Sequence, residues 1–293
     1  MNYRPPALCL ALAAMLLAAS NVTAAPFSFT TGAPDGRIAL AARPTSGGGE
    51  EIETGDDFVL DTTTAITSAT FTGLLTGGVM LSDIGLLRVE IYRVFPKDSA
   101  NPPSGNVPTR ANSPSDVAFE EKETPSELSF TTQLLDADFT ANNSILNGIH
   151  PKPLQTTGGE GSVTGQEVQF SVNFDSPFVL PADHYFFVPQ VEVNGGQFFW
   201  LSAAGPMIFD GDLQAWIRNE DLAPDWLRAG TDIIGGADAP KFNASFSLNG
   251  DTVPEPGTLT LLGSGLVGFV IRRRLRASDR DSMFRARNER RRS

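Results

Sequence analysis

Gln166-Glu167-Val168-Gln169-Phe170-Ser171-Val172-Asn173-Phe174 decides the fold class. Val168, Phe170, Val172 and Phe174 recur at every second position, with Glu167, Gln169, Ser171 and Asn173 between them. In an extended chain successive side chains point to opposite faces, so a period of two sets one face against a core and leaves the other to water. Leu87 to Phe95 repeats the pattern: Leu87, Val89, Ile91, Arg93 and Phe95 share one face, and Arg88, Glu90, Tyr92 and Val94 the other. One dry face and one wet face are the habit of antiparallel sheets.

Working outward, shorter stretches of the same kind predict strands at Phe27–Thr30, Asp57–Leu60, Thr67–Gly73, Glu127–Leu134, His184–Val193, Gln197–Ser202 and Ala244–Leu248. Val193-Asn194-Gly195-Gly196-Gln197 predicts a hairpin, because Asn-Gly tolerates the positive φ of a tight turn. Pro96–Pro125, Asn142–Gly165 and Ala203–Pro240 read as long loops, and no long amphipathic helix or internal repeat is evident. Nine or so short strands need two facing sheets to bury their apolar sides. The expectation is an all-β fold: a single antiparallel β-sandwich of jelly-roll type over residues 26–252.

The ends of the chain read differently. Val253-Pro254-Glu255-Pro256-Gly257 precedes an apolar run from Thr258 to Ile271, followed by Arg272, Arg273, Arg274 and Arg276. As a helix that run spans roughly 21 Å against roughly 30 Å for a bilayer core, a gap closed by local thinning and by arginines snorkelling toward the headgroups. Gly263, Gly265 and Gly268 lower its helix propensity, which suits a transient anchor. Arginines flanking a membrane segment stay cytoplasmic, so everything before Pro254 is expected to face outward. The alternative is a core helix with a solvated basic tail.

Proline-glutamate-proline, apolar stretch and arginines in this order resemble the PEP-CTERM sorting signal of Gram-negative bacteria. The resemblance covers residues 253–276 and implies nothing about the preceding domain. It implies recognition and cleavage by an exosortase, a membrane-embedded cysteine enzyme, in organisms that make exopolysaccharide. One departure is that residues 277–293 add a charged segment, read as a basic cytoplasmic tail, where the family pattern normally stops soon after the arginines.

At the other end, Arg4, an apolar region from Ala7 to Ala19 and the small residues Val22 to Ala25 predict a signal helix over residues 1–25, with signal peptidase cutting after Ala25 or, next, Ala24. Cys9 is the sole cysteine and lies inside that segment, so the exported part has neither disulfides nor thiol chemistry. Between Pro26 and Pro254 stand eleven basic and thirty acidic residues, a formal charge of about −19. Such a charge repels nucleic acid, whose phosphates need clustered Lys and Arg, and repels acidic polysaccharide unless divalent cations bridge the two.

Motifs for chemistry are sparse. His150 and His184 are the only histidines, and there is no His-x-x-x-His, Gly-x-Ser-x-Gly or Gly-rich phosphate loop. No catalytic residue is assigned. No cofactor is expected, with calcium the exception the sequence admits: Asp56-Asp57, Asp136-Ala137-Asp138 and Asp210-Gly211-Asp212 place hard oxygens together, with Asp210 and Asp212 the candidate ligands, although Asp-Gly-Asp is also an ordinary turn sequence. Trp216 and Trp226 are candidate platforms for sugar rings, or they pin a long loop to the sandwich. Two readings follow: a non-enzymatic envelope or extracellular-matrix protein sorted through the membrane by its C-terminal helix, or a carbohydrate-binding module of the exopolysaccharide layer.

Overall fold

The computed structural model describes residues 24–45, 49–149, 156–204, 211–236 and 240–254. Its strands are β1 (Pro26–Thr30), β2 (Pro34–Ala41), β3 (Ile52–Leu60), β4 (Thr64–Thr76), β5 (Ile84–Arg93), β6 (Glu120–Glu123), β7 (Leu128–Ala141), β8 (Ser144–Ile145), β9 (Val163–Leu180), β10 (Asp183–Val193), β11 (Gln197–Ala203), β12 (Trp216–Asn219), β13 (Leu227–Arg228) and β14 (Phe246–Thr252). A 3-10 turn at Leu81–Asp83 and a π-helical turn at Ala229–Ile234 accompany them. No helix among the described residues is long and apolar enough to cross a membrane. The predicted signal helix and C-terminal helix lie outside those residues.

Two sheets form. In the first, β4 is the hub: β9 runs along one side and carries β7, while on the other side β14 pairs with Thr64–Phe71 and β11 with Gly73–Thr76. Beyond them lie β1 on β14, and β2 with the short parallel β8 on β11. Gly73 sits where β4 changes partner; a Cβ there would meet the Phe198 ring at 2.0 Å and the Phe199 carbonyl at 2.8 Å, so only glycine admits both neighbours. The second sheet runs β13-β12-β3-β10-β5-β6. Eight strands thus interleave, β2-β11-β4-β9 in one sheet and β3-β10-β5-β6 in the other, and the chain changes sheet at most of its turns.

The antiparallel two-sheet architecture expected from the alternation is what forms, and all nine predicted strands are present. The predicted hairpin is not one. Gly195 takes the expected φ of +83°, and the turn reverses the chain, but β10 belongs to the second sheet and β11 to the first. Each strand is already flanked on both sides, β10 by β3 and β5 and β11 by β2 and β4, so neither has an edge to offer the other. Ala42 stands between them instead, accepting from Val191 N–H at 3.1 Å and donating to the Phe198 carbonyl at 3.4 Å.

The three segments read as loops also hold short strands: β6 in Pro96–Pro125, β8 and the start of β9 in Asn142–Gly165, and β12, β13 and the π-helical turn in Ala203–Pro240. β2 is a further addition. Its Ile38, Ala39, Leu40 and Ala41 are all fully buried, so the strand has two dry faces and no alternation to reveal it.

Between the sheets lies an aromatic core. Phe71 stacks on Phe170 at 4.8 Å, Phe187 on Phe246 at 5.2 Å, and Trp200 meets Phe71, Phe187 and Phe246 edge-on. Such pairs add about 0.5–1.5 kcal/mol each beyond their area burial. Val168, Phe170, Val172 and Phe174 point into this core as predicted, as do Leu87, Val89 and Ile91. The predicted wet face of β5 is not wet, however: Tyr92 is 3 % and Glu90 7 % exposed. Tyr92 joins Phe186, Val188, Trp216 and Trp226 in a separate cluster, because the long segments around residues 96–119 and 220–226 fold over the outside of the second sheet.

Candidate functional sites

Beneath that cover lies the first of two buried polar centres. Arg218, on β12, forms a two-pronged pair with Glu53 of β3, and its Nη2 donates to Tyr92 Oη at 3.0 Å while Tyr92 in turn donates to Glu53 Oε1 at 2.7 Å. The Trp226 ring covers the guanidinium, its centroid 4.3 Å from Cζ, and the indole N–H donates to the Ser115 carbonyl at 3.3 Å. Glu90 shares this space. Burial first, and then the neighbouring Glu53 charge, push its carboxyl up to about 9, so at neutral pH it is held protonated. For Arg218 burial alone would lower the pKa, but the Glu53 charge outweighs it and holds the guanidinium firmly cationic. A second arginine, Arg110, pairs with Asp116 and Asp225 and ties the two covering segments to each other.

Trp216 and Trp226 are 2 % and 1 % exposed, which corrects their reading as sugar platforms: neither ring offers a face to solvent. Trp226 instead fastens its own segment, its ring edge-on to Tyr92 at 5.4 Å and its indole N–H on the Ser115 carbonyl. No aromatic ring stands among the exposed large apolar side chains of the described residues, which are Val59, Met80, Val117, Leu134, Leu135, Val179 and Val253.

The second centre joins parts of the chain far apart in sequence. Asp56 and Asp57 of β3 are 0 % and 1 % exposed, Asp212 3 % and Asn243 0 %. Asp56 Oδ2 accepts from the Ala244 N–H at 2.8 Å, Asp57 Oδ1 from the Leu213 N–H at 3.0 Å, and Asp212 Oδ2 from Asn243 Nδ2 at 2.9 Å. His184 Nε2 lies 2.5 Å from Asp57 Oδ2. Burial, then the charges of Asp57 and Asp212, raise Asp56 well above the usual carboxylate range; burial raises Asp57 to about 6, with the His184 contact opposing it.

The fold therefore gathers one of the predicted oxygen pairs, Asp56-Asp57, against Asp212. Asp210 lies outside the described residues, as does His150. Asp136 and Asp138 are exposed on the bulged edge strand β7, where Asp136 Oδ1 caps the Asp138 N–H at 2.9 Å, an ordinary turn contact. No group of three or more His, Cys, Asp or Glu side chains among the described residues is arranged to hold a metal ion. Sequence reading missed Asn243 altogether, and missed that Glu53, Glu90, Tyr92 and Arg218 meet. The available signal was acidic residues, Glu53, Asp56 and Asp57, inside an otherwise strand-like segment.

The compact unit spans Ala24–Val253, and its last strand leads directly into the C-terminal motif. The Val253 N–H donates to the Thr63 carbonyl at 2.7 Å, the last backbone tie described, and Pro254, which has no N–H, follows it. Glu255, Pro256, Arg272, Arg273, Arg274 and Arg276 lie outside the described residues. What emerges is an all-β sandwich that hands over within two residues to a sorting tail. A family model for the PEP-CTERM protein-sorting motif matches residues 252–274. The chain carries this exosortase-substrate signal, which makes exosortase its processing partner and directs export to the cell envelope or surface. No curated protein and no solved structure is matched.

Proposed function

We propose that this chain is a non-enzymatic protein of the cell envelope or extracellular matrix, exported by a cleaved signal peptide, anchored for a time by its C-terminal apolar segment, and then released or joined to the exopolysaccharide layer. The observation that carries the reading is the sorting motif at residues 252–274, which begins at the last residue of the last strand of a folded unit. The interleaved strand order supports the finer description of that unit as a jelly roll.

A structural role also fits the distribution of polar groups. Both buried centres are covered, and a surface groove of about 570 Å³ is lined by Gly85, Leu86, Thr124, Pro125, Leu128 and Phe130 among others, none of them an acid or base. The alternative of a carbohydrate-binding module rested on Trp216 and Trp226, and their burial removes its support.

Truncation after Pro254 tests the sorting reading. The shortened chain is expected in the culture medium while the full chain is retained in the envelope fraction and, after processing, loses its tail by intact-mass measurement. Equal retention of the truncated chain in membranes would overturn the reading.

A further inference from the structure

We propose that Asp56, Asp212 and Asn243 form a binding site for a divalent cation, with calcium the ion that fits. Three distant segments converge there: β3 brings Asp56, the turn after Gly211 brings Asp212, and the stretch leading into β14 brings Asn243. The dipeptide Asn243-Ala244 holds both carboxylates, one through the Asn243 amide at 2.9 Å and the other through the Ala244 N–H at 2.8 Å. Neighbouring strand residues point to opposite faces, so Asp57 is engaged elsewhere, with Leu213 N–H and His184.

Among the described residues, two oxygens in this centre find no hydrogen-bond partner: Asp56 Oδ1 and Asn243 Oδ1. Both residues are fully buried. While Asp56 is ionised, its free oxygen and the buried amide carbonyl can each accept and neither can donate, so they do not satisfy each other; a cation satisfies both at once. The Asn243 amide is the independent part of this observation. Its N–H group is committed to Asp212, which leaves its carbonyl oxygen as an acceptor beside two acids, an arrangement that costs free energy without a positive partner.

The donor set selects the ion. Two carboxylates and an amide carbonyl are hard oxygen ligands, matched to calcium, which takes six to eight oxygens and accepts waters for the remainder. Zinc and copper favour imidazole or thiolate; among the described residues the one imidazole, His184, is held by Asp57, and the only cysteine of the sequence is Cys9. With only three protein side chains, affinity should fall in the range of extracellular modules, roughly 0.1–1 mM. A bound ion would staple the second sheet to the segment entering β14 of the first.

Thermal unfolding of the purified full chain in calcium chloride against EDTA tests the site. The expected result is a saturable rise of roughly 5 °C by 10 mM calcium, with a smaller response to magnesium. Asp56→Asn and Asn243→Ala should both abolish the rise, while Asp136→Asn, on the β7 edge, should keep it. A wild-type chain whose unfolding temperature ignores calcium, with Asp56→Asn more stable than wild type in EDTA and in calcium alike, would overturn the proposal and assign the centre to a buried proton or water. A calcium response that survives both Asp56→Asn and Asn243→Ala would overturn it too, by placing the ion elsewhere.

Discussion

Burial of Glu90 beside Glu53 makes the folded chain keep a proton that the unfolded chain releases. The carboxyl's pKa is about 9 in the fold against an ordinary 4.5, so its contribution to stability is fully present below about pH 4.5, declines as pH rises, and is gone above about 9. The slope between those limits is at most about 1.4 kcal/mol per pH unit. Glu53 and Glu51 oppose ionisation of this group and Arg88 favours it, and its charge is also felt by Tyr92 and Arg218. Glu90→Gln should therefore match wild type in unfolding temperature near pH 4 and exceed it by several degrees near pH 8. Parallel pH profiles for the two proteins would show that Glu90 ionises freely. At this scale the sequence was partly legible. Asp56-Asp57 stood out as adjacent oxygens, but Asn243 and Ala244, which complete their environment, lie nearly two hundred residues away and carry no local mark.

Alternation along a strand reports whether its two faces meet different surroundings, and it does so only where one of them is solvent. β9 obeys this: Val168, Phe170 and Val172 are buried, and Asn173 between them and Phe174 is exposed. β2, buried on both sides, escapes it, and β5 misleads, since its Glu90 and Tyr92 read as solvent-facing and are covered by Trp226 and its segment. Turn chemistry has a similar limit. Asn194-Gly195 sets where the chain reverses, whereas the choice between a hairpin and a crossing to the other sheet depends on which strands already flank β10 and β11. The covering segments depend on Trp226 more than their loop-like composition suggests. Trp226→Ala should cost about 3–5 kcal/mol in denaturant unfolding and open residues 96–119 to limited proteolysis. A loss under 1 kcal/mol with unchanged cleavage would show that Arg110 and its two acids hold the cover unaided.

For the molecule as a whole, the two ends of the folded unit lie side by side. β1 pairs with β14 so that Pro26 faces Asp251, and Ala25 makes two hydrogen bonds with Thr252: its N–H donates to the side-chain Oγ1 at 2.9 Å, and its carbonyl accepts from the Thr252 N–H at 2.8 Å. The predicted cut after Ala25 removes those two contacts and leaves the five-residue pairing of β1 with β14 intact. Mass spectrometry of the exported protein should find a mature N-terminus at Pro26. A start beyond Ser28 would mean that β1 is dispensable and would contradict its place in the sheet.

The sequence by itself determined the address and the class of fold. Both depend on short-range patterns, a proline-bounded motif with its apolar run and arginines, and a period of two, which physics reads within a few residues. Tertiary structure alone decided that Trp216 and Trp226 are buried, that the Asn-Gly turn joins two sheets, and that Asp56, Asp212 and Asn243 share one buried centre. Those outcomes arise from contacts between segments far apart in the chain, where burial and partner choice are settled by the whole packing and no local pattern carries them.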